Sequence, residues 1–330
     1  MNALYSLIIV LALVVIPLLG AGAAGWHTLF GIAVPYIAFV VFVLGFIYRV
    51  VDWGRSAVPF RITTTAGQQE SHAWIKSSKL DNPSTTWGVV LRMILEVLLF
   101  RSLFRNTRVQ LKDGPKLSYG SAKWLWLGAL AFHASFFIIL IRHMRFFTEP
   151  VPLPFQWLDK LDSILQVGVP VLYLTEVAIL AALLYLFLRR VIDPKMRYIS
   201  LASDYFPLFL IFGIVISGVL MRYFIRTDII AVKEMTMGLV TLNPTIPENI
   251  GVIFYVHLFL VSALLVYFPW SKLMHLGGVF LSPTRNLANN SRMQRHINPW
   301  NYPVKVHTYE EWEDHYRDAM KEAGIPVEKE

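Results

Sequence analysis

Apolar residues in this chain gather into long runs separated by shorter stretches where charge and proline collect. Six runs stand out, at Leu4–Gly20, Thr28–Val50, Trp124–Phe146, Ile164–Leu188, Phe206–Tyr223 and Ile250–Leu276. A helix of about 20 apolar residues crosses a hydrocarbon core about 30 Å thick, and a helix satisfies its own backbone there. The pattern therefore predicts an all-α polytopic membrane bundle of about six transmembrane helices, with both termini on one side. The small residues Gly20-Ala21-Gly22-Ala23-Ala24 resemble a cleavage site, but no basic stretch precedes the first run, so an uncleaved helix is expected.

Two other stretches carry helical signals. Trp87–Phe100 is apolar but short, and Arg92 and Glu96 interrupt it at i,i+4 spacing, which suits an interfacial or partly buried helix better than a span. After about Pro283 the chain turns polar and aromatic, as in Asn298-Pro299-Trp300-Asn301-Tyr302-Pro303-Val304. There Thr308 and Glu311 form a capping-box pattern opening a helix over Tyr309–Ala323, which Gly324-Ile325-Pro326 ends. The organisation expected is two amino-terminal spans in 1–50, a basic segment with an interfacial helix in 51–120, a four-helix core in 121–282, and a tail in 283–330 that docks a partner subunit.

Composition agrees with lipid as the main solvent, since 55% of the 330 residues are hydrophobic and the mean hydropathy is +0.52. The net charge of +8 marks orientation rather than nucleic-acid binding. Lys and Arg number ten in 51–120, four in 189–200 and eight in 271–330, against three each in 142–160 and 222–249. The basic side is expected to be cytoplasmic, with both termini on the cytoplasmic side of the cytoplasmic membrane. The absence of cysteine excludes disulfides, thiolate-bound iron–sulfur clusters, c-type haem attachment and a cysteine nucleophile within this chain.

Histidine is the remaining candidate for redox chemistry. Of nine histidines, His133, His143, His257 and His275 fall in or at the ends of the third and sixth runs. An imidazole in lipid needs partners for a donor and an acceptor, so such histidines are rare and point to function. The two runs must be antiparallel, so His133 is expected to meet His275 toward the inside and His143 to meet His257 toward the outside. Eighteen residues make five helical turns, placing His257 and His275 on one face, and ten residues rise about 15 Å, separating two sites along the membrane normal. One metal ion cannot reach all four, whereas a haem iron between each pair can; two haem b groups are expected.

Other charged residues invite weaker assignments. Arg142, Arg145, Arg222 and Arg226 near the outer pair are candidates for haem propionates or a quinone headgroup, as are Lys123 and Lys272 inside. Glu176 falls near the middle of the fourth run, where a carboxylate is expected to be protonated, paired or facing a wet cavity, and is a candidate for proton or quinone chemistry. His27 beside Trp26 reads as an aromatic-belt feature, Pro170, Pro207 and Pro269 as helix-packing adjustments, and His72, His296, His307 and His315 have no assigned chemistry. A transporter using the histidines and Glu176 as a proton relay, or a passive anchor, would be the alternatives. The sequence is read as having neither the inverted repeats nor the broken helices that transporters often carry.

The spacings His133-x9-His143 and His257-x17-His275 on antiparallel helices resemble the cytochrome b (gamma) subunits of membrane-bound respiratory nitrate reductases over the second to sixth runs. Within that superfamily, the extra leading run, the basic 51–120 segment and the tail with Tyr309-Glu310-Glu311-Trp312-Glu313 look like DsrM, the cytochrome b subunit family of the dissimilatory sulfite-reductase-associated (DsrMKJOP) membrane complex. The resemblance implies a di-haem electron wire between menaquinone or another quinone near the outer face and a cytoplasmic heterodisulfide-reductase-like iron–sulfur subunit. It also implies companion membrane and c-type cytochrome subunits and a role in dissimilatory sulfur metabolism, as a redox subunit rather than an independent catalyst. Arg142 stands where the nitrate reductase relative has a glycine before the ligand.

Overall fold

A computed structural model describes residues 2–56, 78–112, 114, 116–163, 170–290 and 305–329. His72, His296, the stretch 298–304 and the start of the expected fourth span lie outside the described residues. Among those described, five helical stretches are long and apolar enough to cross a membrane: Asn2–Ala23, Leu29–Arg55, Lys123–Phe146, Ala202–Ile225 and Val252–Trp270. The first two contain α1 (Asn2–Pro17) and α2 (Val34–Arg55), each joined through a π-helical turn to the short loop around His27. The described part of the expected fourth span is α7 (Leu174–Ile192), which carries Glu176 at one end and Arg189 and Arg190 at the other.

The segment before the third span contains α3 (Thr86–Leu99) and α4 (Arg101–Arg105). Thr85 caps α3 by accepting from Gly88 N at 3.2 Å, and Phe100, in the left-handed region at φ 49°, ends it. Strands β1 (Thr107–Lys112) and β2 (Lys116–Ser121) then form an antiparallel hairpin in which Val109 faces Tyr119 and Leu111 faces Leu117. This hairpin departs from the purely helical expectation. Asp113-Gly114 between alternating apolar and polar residues is the hairpin signal, and Gly114 supplies φ +84°.

The third span contains α5 (Lys123–His143), and the loop after it, at the end of the bundle expected to be outer, contains α6 (Leu153–Asp162). Beyond α7, Asp193 caps the short α8 (Pro194–Ile199) and the fifth span opens with α9 (Ala202–Val219), which passes into a π-helical turn at Leu220–Ile225. Asp228 caps α10 (Ile229–Val240), which lies over the end of the third span, with Thr236 Oγ1 donating to Phe146 O at 2.6 Å.

The sixth expected helix is broken. α11 (Val252–Tyr267) gives way to 3-10 turns at Phe268–Trp270 and Lys272–Met274 before α12 (His275–Leu281) and α13 (Pro283–Asn286). Pro269 has no N–H to continue the α-helical ladder and its ring crowds the preceding turn, and Ser271 starts the next turn by accepting from Leu273 N at 3.1 Å. The expectation of five uninterrupted turns between His257 and His275 is therefore replaced by a helix, a corner and a second helix. Helix α2 packs against the corner at Gly45, where an added Cβ would lie 2.8 Å from Pro269 Cβ. In the tail, α14 (Tyr309–Glu322) begins with the Thr308–Glu311 capping box.

Helix α5 lies along α7, α1 along α9, and α11 between α2 and α9. The two helices bearing the histidines thus have different closest neighbours. Buried apolar clusters join α1, α9 and α11 through Val10, Leu210, Val256 and Leu260, and join α7 to α9 through Ile179, Leu183 and Ile211.

Polar ties hold the basic segment to the bundle. Trp126 Nε1 donates to Leu99 O at 2.7 Å, and Glu96 accepts from Arg285 of α13 at 2.7 Å rather than from Arg92. Asn289 donates to Pro83 O and to Asn82. Asp81 accepts from Arg101 and Arg105, and the Arg101 guanidinium foremost holds its carboxyl far below the usual range. A carboxyl depressed on folding stabilises fully above its unfolded value of about 3.9, and that contribution is lost as pH falls through the lower folded value. Asp81→Asn is therefore expected to loosen the α3–α4 corner by about 1 kcal/mol at neutral pH, since the group is partly solvated. Limited proteolysis within 78–105 should quicken several-fold at pH 7, with the difference from wild type shrinking below about pH 4.

Candidate functional site

The structure brings the four histidines together in two pairs. The His143 and His257 ring centroids lie 6.4 Å apart with planes 12° from parallel. Those of His133 and His275 lie 5.9 Å apart with planes at 82°. The order along α5 is opposite to that along α11 and α12, as antiparallel helices require. The corner at Pro269 does not prevent His275, the first residue of α12, from reaching His133.

Every one of the four rings is held at Nδ1. His133 Nδ1 meets Ala129 O at 2.8 Å, His143 Nδ1 meets Ile139 O at 2.7 Å, and His275 Nδ1 meets Lys272 O at 2.8 Å. A carbonyl only accepts, so each of these nitrogens carries the proton and leaves Nε2 with a free lone pair. His257 differs in its partner, Ser217 Oγ at 2.9 Å. The Ser217 hydroxyl donates to Ile214 O at 2.9 Å and therefore accepts from the His257 ring. This one-sided anchoring fixes tautomer and ring orientation as it does for metal-bound histidines generally.

The donor set fits two haem irons. A metal about 2 Å from each of two opposed imidazole nitrogens sets their ring centroids about 6 Å apart, close to both separations here. Phe100 and Phe132 each make a T-shaped contact with the His133 ring, with centroids 5.0 Å away. The left-handed conformation of Phe100 thus turns the α3–α4 corner toward the inner pair.

Beside the outer pair lies a cluster of charged groups. Arg142, 7% exposed, donates from Nη1 to Asp162 Oδ2 at 2.6 Å and from Nε to Asp159 Oδ1 at 3.3 Å, with Glu176 Oε1 at 3.9 Å from Nη2. Asp162 also accepts from Thr175 N and Oγ1 at the start of α7. The Arg142 and Arg222 guanidinium groups lie 3.2 and 4.1 Å from the Tyr173 ring centroid, and the Tyr173 hydroxyl donates to Asp159 at 2.9 Å. Arg145 reaches Asp159 at 3.3 Å, whereas Arg226 ends the π-helical turn in the left-handed region without an ion pair among the described residues.

Glu176 does not lie in mid-span. Helix α7 starts at Leu174, so the carboxylate sits in its first turn, where the helix dipole favours it. Tyr223, from the π-helical turn after α9, donates to it at 2.5 Å. At the opposite end of the bundle, Lys272 pairs with Asp204 at 2.7 Å and the Lys123 ammonium lies 5.3 Å from the Phe104 ring. His27 stacks on Tyr255 at 5.1 Å, two residues before His257. In the tail, His315 packs edge-on against Tyr316 and His307 lies 3.4 Å from Glu311. Sequence reasoning did not single out Asp159, Asp162, Tyr173, Ser217 or Tyr223; the i,i+3 acids of α6 opposite Arg142 and Arg145 were the available signal.

The nitrate reductase gamma subunit family model matches residues 84–296, which takes in all four paired histidines. The chain belongs to that family. The match begins beyond α2, so α1 and α2 lie outside it, a shorter reach than the sequence resemblance implied. Two relatives extend the likeness along most of the chain. The "Hdr-like menaquinol oxidoreductase cytochrome b-like subunit" of Archaeoglobus fulgidus is 48% identical over 279 residues, covering 82% of this chain and 83% of the relative. The subunit of the same description from Archaeoglobus profundus is 46% identical over 275 residues, covering 81% of each. These are Hdr-like cytochrome b subunits, the group with which DsrM belongs.

The ion cluster predicts its own cost of disruption. Removing the Asp162 carboxylate leaves the buried Arg142 short of charge, so Asp162→Ala should destabilise the protein by about 3 kcal/mol. The double variant Arg142→Met/Asp162→Leu should recover most of that loss, as read from thermal unfolding in detergent.

Proposed function

We propose that this chain is a di-haem b membrane subunit that moves electrons between a quinone at the outer face and an iron–sulfur partner at the inner face. The observation that carries this reading is the pair of facing imidazole couples, all four anchored at Nδ1 with Nε2 free. His133 with His275 would hold the inner haem and His143 with His257 the outer one. Bound there, haem iron supplies one-electron chemistry without exchange of ligands. The chain's residues do the rest: helix carbonyls and Ser217 fix the imidazoles, and the apolar walls of α5, α9 and α11 exclude water.

The ten residues between His133 and His143 on α5 rise about 15 Å, a separation along the membrane normal that suits an electron wire. The relatives' description supplies the quinone, menaquinol, and a heterodisulfide-reductase-like complex. On this reading the partner is a cytoplasmic iron–sulfur subunit, companion membrane and c-type cytochrome subunits complete the complex, and the setting is dissimilatory sulfur metabolism. The asymmetry of Lys and Arg supports a reading with both termini, and the tail helix α14 as a docking arm, on the cytoplasmic side of the cytoplasmic membrane. At the outer end, Glu176 and Tyr223 are placed to take or return a quinol proton. Arg222 and Arg145 retain the quinone or propionate role expected of them, while Arg142 orients the acids around Glu176.

Two measurements test the assignment. Pyridine haemochrome quantitation of detergent-purified protein should give two b haems per chain. His143→Ala and His257→Ala should each remove one and the same haem, and His133→Ala and His275→Ala the other; loss of different haems by the two members of a pair would overturn the pairing. Ring planes also matter, because parallel imidazoles lift the near-degeneracy of the iron dπ orbitals and perpendicular ones preserve it. Ferric protein should therefore show two low-spin electron paramagnetic resonance signals. The more anisotropic one should vanish in His133→Ala, and the rhombic one in His257→Ala.

A further inference from the structure

At the inner end of the bundle a cavity of about 860 Å³ opens beside His275, a size suited to a cofactor-scale ligand. Three cations line it: Arg49 of α2, Lys272 of the corner after α11, and Arg285 of α13. Two are already matched. Lys272 pairs with Asp204 at 2.7 Å, and Arg285 donates to Glu96 at 2.7 Å and to Ser102 Oγ at 2.6 Å.

Arg49 is different. Its Nε is buried with no hydrogen-bond partner among the described residues, and the carboxylate paired with it, Asp52 Oδ2, lies 4.0 Å from Nη1 on a side chain 54% exposed. The guanidinium lies 5.3 Å from the Trp53 ring centroid, and Trp53 lines the same cavity. A buried guanidinium donor left without an acceptor is costly, so a fork of this kind beside a cavity calls for an anionic ligand of carboxylate geometry.

We propose that Arg49 binds a propionate carboxylate of the inner haem, so that α2, outside the region matched by the family model, completes the inner site. The proposal rests on the di-haem reading, since His275 is the residue that brings a porphyrin to this cavity. A b haem carries two propionates, and of the cavity's three cations Arg49 is the one with a buried donor still free among the described residues. Its charge stabilises the reduced haem, which carries one electron more than the oxidised form, so its loss makes the midpoint potential more negative. Gly278 and Trp53 meet at 3.6 Å from the position of an added glycine Cβ, so α12 and α2 share this wall.

The test is a potentiometric titration of full-length purified wild type, Arg49→Gln, Arg49→Met and Arg49→Lys, with the inner haem identified as the one missing from His133→Ala. Either neutral variant is expected to move the inner midpoint negative, or to lose that haem alone, with the outer haem's midpoint and signal unchanged; Arg49→Lys should restore much of the shift. Unmoved midpoints in both neutral variants, equal shifts of both haems, or loss of both haems would overturn the proposal. Wild type lacking two haems would instead overturn the underlying di-haem reading before any Arg49 variant is compared.

Discussion

Polar atoms carried into an apolar bundle must find partners within the chain, and that requirement organises the structure around its histidines. Each of His133, His143, His257 and His275 gives its Nδ1 proton to an acceptor on its own element or a neighbouring helix. What is left over is one nitrogen per ring, on rings whose centroids lie 5.9 and 6.4 Å apart in pairs between α5 and the α11–α12 arm. Three acceptors are carbonyls of the local helical turn, so the anchoring needs no additional side chain. The fourth, Ser217, belongs to α9 and ties that helix to the outer pair as well.

The spans were legible because a 3 nm hydrocarbon layer imposes a length and composition that few soluble helices imitate. The pairing of the histidines followed from chain direction alone. The exact path was not legible: His257 and His275 were expected on one face of an unbroken helix, and Pro269 replaces it with a corner. The same two rings nevertheless reach their counterparts, because the fixed quantities are the direction of the chain and its span of the bilayer. Helical phase is adjustable through 3-10 turns, and Gly45 lets α2 close against the bend.

Glu176 shows where a hydropathy reading loses resolution. The apolar run from Ile164 gives no sign that α7 starts only at Leu174, and the difference moves a carboxylate from mid-span to a helix amino terminus. Asp159, Asp162 and Tyr173 were overlooked for a related reason, since an outer loop between spans does not announce that it folds back as α6 over a buried arginine. The β hairpin was missed although Asp113-Gly114 sits between alternating residues, because the helical pattern around it dominated the reading.

The two ends of the bundle differ in how they treat charge. At the outer end Arg142 is enclosed by Asp159, Asp162 and Glu176, with Tyr223 bonded to Glu176 and Tyr173 under two guanidinium groups. Acids and bases there are matched one against another, an arrangement in which a proton can shift between carboxylate and phenol without leaving a net buried charge. At the end that carries His133 and His275 the three cavity cations each meet one acid, but Arg49 meets Asp52 only at 4.0 Å and keeps a free donor among the described residues. On the proposed reading this division suits the two exchanges the subunit must perform. Quinol chemistry couples electrons to protons and needs a balanced polar cluster, whereas transfer to a protein partner moves electrons alone and needs only fixed charge around the haem.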